Sequence, residues 1–188
     1  MKKIIVIVLA LMSYPIVSLA QEETSAPKEE KTKSEAVQFM EKDGTLMLKE
    51  FYPEVNIGGV TFQVATLKDV VSDTKIGCLR VSTMYYSKYS TDTYTGVLDY
   101  DEITACIQSL KYIKSIVETT PGNYTECEFK SRDGVKLGAY YDSNSWVLYV
   151  KPKSYNSRST KSFKVSLLDQ LISALENSQE LIKVQCNN

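Results

Sequence analysis

Cys78, Cys106, Cys127 and Cys186 carry the richest chemistry in this sequence, and no histidine stands anywhere to activate a thiolate. Without imidazole, Ser-His-Asp and Cys-His nucleophile systems, His-ligated zinc and HExxH proteolysis are all excluded. The cysteines show no CxxC spacing, so an all-cysteine zinc site or a thioredoxin-type redox centre lacks its pair of adjacent ligands. Ser72-Asp73-Thr74-Lys75 matches the SxxK letters of a Ser-Lys nucleophile, yet neither SDN nor KTG accompanies it. Turn chemistry accounts for Ser and Asp there. No GxSxG, GxGxxG or P-loop pattern occurs. These absences weigh against an enzyme, and no catalytic residue, cofactor or metal is expected. A carboxylate pair for glycoside cleavage has no fixed sequence spacing, so a histidine-free hydrolase using Asp/Glu on cell-envelope polymers stands as the alternative.

What four cysteines mean depends on compartment. Residues 1–20, MKKIIVIVLALMSYPIVSLA, have the order of an export signal: Lys2 and Lys3, an apolar run from Ile4 to Met12, Pro15, then Ser18 and Ala20 at a peptidase site. Nine apolar residues are too few to span a bilayer, and no later run is long enough, so no membrane span is expected. Cleavage after Ala20 predicts a secreted or periplasmic protein beginning at Gln21. In that setting an even cysteine count favours disulfides, and of the three pairings Cys106–Cys186 with Cys78–Cys127 is preferred. The competing account treats them as small buried apolar thiols. Losing Lys2 and Lys3 leaves 20 cations against 23 acids, a net charge of −3. Nucleic acid is not an expected partner for that charge.

The tyrosines give the recognition signal. Segments 84–96, MYYSKYSTDTYTG, and 151–162, KPKSYNSRSTKS, are rich in Tyr, Ser, Thr and Lys. Tyrosine offers large contact area at low entropic cost, and Ser/Asn offer adaptable hydrogen bonds. Tyr86, Tyr89, Tyr94, Tyr155 and Arg158 are the candidates for contacting an unknown protein or glycan. The same composition also suits solvated strand edges and connections. Asp99, Asp101 and Glu102 form an acidic cluster, but carboxylates at a helix start complement its dipole and no EF-hand spacing follows.

The elements that must position these residues read as α+β. Residues 21–33, QEETSAPKEEKTK, hold no aromatic or branched apolar residue and read as a disordered spacer. A single domain follows over 34–188. Ser34 caps a short helix, and extended segments follow from Thr45. Asp99 and Glu102 stand in capping-box spacing before the stripe Ile103, Cys106, Ile107, Leu110, Ile113 and Ile116. Strands are predicted at 124–131, 135–142 and 145–152, with Glu126, Glu128 and Lys130 on a wet face. After a strand near Phe163, Ser166 is expected to cap a helix buried through Leu168, Leu171, Ile172, Leu175 and Leu181. The fold expected is an antiparallel sheet, or two ββα-type pseudo-repeats, with two amphipathic helices packed on one face. The helix stripes align at a shift of 65 residues and the caps at 67.

The stretches LDYDEI (98–103), YTECEFKSRDG (124–134) and GAYYDSNSWVLYV (138–150), with the Lys-Lys signal, resemble small exported proteins of unknown function from Bacteroidetes-type bacteria. The resemblance implies a secreted or periplasmic location and assigns no functional residue.

Overall fold

Two runs of β-branched and aromatic residues, each ending at a helix with an apolar stripe, build two antiparallel meanders in a computed structural model that describes residues 33–186. The expected signal and nearly all of the spacer lie outside the described residues. The first sheet contains β1 (Met47–Phe51), β2 (Val55–Ile57), β3 (Val60–Asp69), β4 (Thr74–Tyr86) and β5 (Thr91–Asp99), in the order β1-β3-β4-β5. β1 and β2 both lie along one edge of β3, interrupted around Pro53, whose missing N–H cannot serve a ladder. The second sheet runs β6 (Thr125–Lys130), β7 (Lys136–Asp142), β8 (Ser145–Lys151) and β9 (Lys161–Lys164) in chain order. Each meander feeds a helix: α2 (Tyr100–Ile116) after the first, α3 (Leu168–Cys186) after the second. The described residues are thus an α+β fold with two similar half-sheets, the second form of the expectation.

One core joins both halves. Phe62, Leu79 and Leu98 from the first sheet meet Leu137, Leu148 and Val150 from the second. Ile103, Leu110, Leu171 and Leu175 bring in the helix stripes. α2 and α3 run antiparallel, with Lys114 paired to Asp169, Lys111 to Glu176, and Thr104 hydrogen-bonded to Gln179. A smaller cluster forms on the other face of the first sheet. There α1 (Glu35–Met40) lays Ala36 and Phe39 on Ala65, Leu67, Cys78 and Val97.

Several sequence boundaries move. The segment 84–96 is chiefly strand: β4 continues to Tyr86, β5 starts at Thr91, and only 87–90 is turn. Alternating Thr and Tyr suit a pleated surface, so their polarity concealed a strand. Ser166 lies inside a 3-10 turn, Val165–Leu167, that precedes α3, rather than capping it. Asn144 and Ser143 both adopt positive φ in the β7–β8 turn, the geometry a two-residue hairpin requires.

The disulfide expectation needs correction: all four cysteines are free. Cys78 faces the small cluster under α1, whereas Cys127 lies on the core side of the other sheet. Cys186 stands seven residues beyond Gln179, which is level with Thr104, so about 10 Å of helix rise separates it from that level. Cys106 lies further still in the opposite direction. A disulfide requires Cα atoms within roughly 7 Å. Burial pushes the Cys78 thiol up to about 12 and raises Cys106 as well.

Candidate functional site

Strand periodicity creates the most chemically varied surface. On β6 Cys127 and Phe129 turn to the core, so Glu126, Glu128 and Lys130 face outward, as their alternation predicts. The cross-strand neighbours Glu128, Gly138, Tyr149 and Ser162 form one row across all four strands, and Glu126 opposes Tyr140. Gly138 decides the arrangement. A Cβ there would stand 3.0 Å from Tyr149 ring carbons and inside contact distance of the Cys127 carbonyl oxygen. With only hydrogen at that position, the Tyr149 ring lies across β7 and reaches β6.

The Tyr149 hydroxyl is consequently 2.7 Å from Glu126 Oε1 and 2.6 Å from Glu128 Oε2. Burial and both carboxylates hold its pKa above the usual phenol range. Glu128 accepts from Lys136 Nζ at 2.7 Å. Burial pushes the Glu128 carboxyl up, but Lys136 and Tyr149 outweigh it and the pKa falls below the ordinary value. Tyr124 donates to Glu126 Oε2 at 3.0 Å. The rings of Tyr124, Tyr140 and Tyr149 follow one another at centroid separations of 6.4 and 6.1 Å. Lys151, Thr160 and Ser162 complete a shallow depression on this face.

A second polar network is built at the joint between the halves. Asp99 accepts from Ser34 Oγ at 2.8 Å and from the Glu35 and Ala36 amides at 2.8 and 2.9 Å. The same carboxylate receives Arg132 Nη2 at 2.8 Å. Glu102 spends both oxygens on backbone donors, the amides of Arg132 and Asp99, at 2.6 and 3.0 Å. Burial raises the Glu102 pKa, while Arg132 holds Asp101 below the ordinary value. With its carboxylates committed to the α1 and α2 termini and to Arg132, this cluster is structural. Among the described residues no group of three or more Cys, Asp and Glu side chains is placed to hold a metal ion, and no helix is long and apolar enough to cross a membrane.

The five candidate contact residues do not form one patch. Arg158 stacks its guanidinium 5.3 Å from the Tyr85 ring, and Thr83 Oγ1 donates to the Ser159 carbonyl at 2.8 Å. The 151–162 loop therefore docks on the β4–β5 hairpin, bringing the two predicted segments together. Tyr94, directly opposite Thr83, shares the Tyr85 face. Tyr86 points to the opposite face, where its hydroxyl meets Met84 Sδ. Tyr89 and Tyr155 are 88% and 83% exposed. The Ser72/Lys75 pair also separates: Ser72 Oγ bonds Thr74, and Lys75 pairs with Glu50.

Tyr124, Tyr140 and Tyr149 were not among the sequence candidates. Gly138 inside a strand was the available signal, together with the period-2 pattern placing Lys136, Gly138 and Tyr140 on one side. Trp146 packs against the core from the margin and donates Nε1 to the Thr119 carbonyl at 2.9 Å. Comparison with protein-family models, curated proteins and solved structures finds no match.

Proposed function

We propose that this is a secreted or periplasmic binding protein that takes a glycan on the outer face of its second sheet. The observation carrying the reading is Tyr149 fixed between Glu126 and Glu128 beside the rings of Tyr140 and Tyr124. Aromatic faces stack on the C–H faces of sugar rings, and each Glu126 and Glu128 oxygen, which faces one protein donor, keeps a second lone pair on this open face for a sugar hydroxyl. Lys136, Lys151, Thr160 and Ser162 add donors around that platform. Thr160 and Ser162 come from the 151–162 segment, so the loop chosen for recognition borders the face.

The hydrolase reading finds less support. A general acid near pH 7 needs a raised pKa inside a water-excluding cleft. Glu128 is shifted downward on an open face, and Glu102, which is shifted upward, has both oxygens taken by backbone amides. Binding of the full chain to a printed panel of neutral and acidic oligosaccharides tests the proposal. Retention of a glycan that Tyr140→Ala weakens by about tenfold, with an unchanged melting midpoint, is expected from the loss of one stacking ring. Equal retention by Tyr140→Ala, or no retained oligosaccharide, overturns it.

A further inference from the structure

α1 is too short to cover the sheet beneath it. Six residues rise about 9 Å, whereas the thirteen residues of β4 extend roughly 40 Å. Beyond Val37 and Met40 the outer face of the first sheet is left as a cup of about 400 Å³, floored by Ala65, Leu67, Cys78 and Val97. Those four floor residues are all 7% exposed or less. Phe51, 53% exposed, stands on the rim opposite α1.

Three cations surround this apolar floor: Lys49, Arg80 and Lys153. Asp133 is the one acid among the lining residues. It is committed to Lys153 Nζ at 3.0 Å and to the Val97 amide at 3.0 Å. Arg80 donates to the neutral Gln63 Oε1 at 2.6 Å and lies 4.9 Å from the Phe51 ring. Among the described residues neither Lys49 nor Arg80 has a carboxylate partner. Two cations without counter-charges at the mouth of an apolar cup recognise a molecule that is apolar at one end and anionic at the other.

We infer that the cup binds a small amphipathic anion, a carboxylate with an aromatic or medium-chain aliphatic body, whose apolar part lies on Ala65, Leu67 and Val97 while its charged head meets Arg80 and Lys49. The site shares no lining residue with the tyrosine face and does not depend on the glycan reading. The volume falls in the range of small-ligand pockets, which span about 300–1,000 Å³. α1, the wall of the cup, is pinned at its start by Asp99, so the site is preformed.

The test uses the full chain and anilinonaphthalene sulfonate, a fluorescent apolar anion, with decanoate and decyltrimethylammonium as competitors. Saturable fluorescence that decanoate displaces and the cationic amphiphile does not is expected. Arg80→Gln combined with Lys49→Gln should weaken decanoate by about tenfold or more, because a charge-assisted contact is lost. Thr95→Trp keeps both cations but fills the cup from β5 and should abolish binding; it decides the matter if the double variant fails to fold. Tyr140→Ala should leave decanoate binding unchanged. Displacement by both amphiphiles alike, full affinity in the double variant or in Thr95→Trp, or no saturable signal each overturns the inference.

Discussion

Arg132 reaches Asp99 through both Nε and Nη2, at 3.2 and 2.8 Å, and so bolts the β6–β7 turn of the second half to the end of β5 in the first. Around that pair the halves close further. Ser131 Oγ donates to the Val97 carbonyl and Asp133 accepts the Val97 amide, so side chains of the second half satisfy backbone groups on the edge of the first sheet. An edge covered in this way cannot template pairing with another chain.

Asp99→Ala removes the acceptor for Ser34 Oγ and the first two α1 amides, and leaves Arg132 with Glu102 and Asp101 as its carboxylates. A loss of about 2–3 kcal/mol is expected for deleting a buried charged acceptor and cap. Asp101→Asn, at a side chain 65% exposed on the same guanidinium, should cost under about 1 kcal/mol. Urea unfolding of the two variants measures the contrast.

Gly138→Ala should cost about 1–3 kcal/mol, because the new methyl meets backbone on β6 and the Tyr149 ring. The change should also release Tyr149 from Glu126 and Glu128. Near-ultraviolet tyrosine circular dichroism should weaken by more than the small fraction of unfolded protein explains. Tyr149→Phe, which keeps the ring and deletes the hydroxyl, should preserve most of that signal.

The fold should be acid-labile. Asp69 is held below its ordinary 3.8, first by the Thr45 hydroxyl and then by Ser72 and the Val71 amide, and Asp101 is held below 3.8 by Arg132. A carboxylate whose folded pKa is depressed contributes stability present above the unfolded value and lost as pH falls through the folded value. Stability should therefore decline from about pH 4 downward, opposed in part by Glu102, whose shift is upward. Asp69→Asn should flatten that decline in a series of melting curves taken between pH 7 and pH 2.

Thiol titration separates the free-cysteine structure from the crosslinked expectation. Unfolding without reductant should expose four alkylatable thiols. In the folded protein Cys78 and Cys106 should react far more slowly than Cys186, since the thiolate is the reactive form and burial suppresses it at both. A mass 4 hydrogens lighter than the reduced chain, with no alkylation, would mark the disulfide form.

Much of the fold is legible in local pattern. Asp99 with Glu102 marked the start of α2, the stripes marked the buried faces of both helices, and alternation placed Glu126 and Glu128 outward. Each depends on neighbours three or four residues away on a helix, or two away on a strand. The tyrosine face was not legible in that way. Tyr149 reads as one more apolar position of SWVLYV, and its partners lie 21 and 23 residues back, beyond any local period.

The sequence alone determined an antiparallel α+β fold with two amphipathic helices, the absence of imidazole chemistry and the outward face of β6, because spacing and side-chain type suffice for those. Only the tertiary structure decided that the cysteines stay apart, that Tyr149 lies over Gly138 between two carboxylates, and that Lys49, Arg80 and Lys153 ring a pocket beside α1. Those relations depend on strand register and on the lengths of elements packed against one another, which bring together residues that the chain itself keeps far apart.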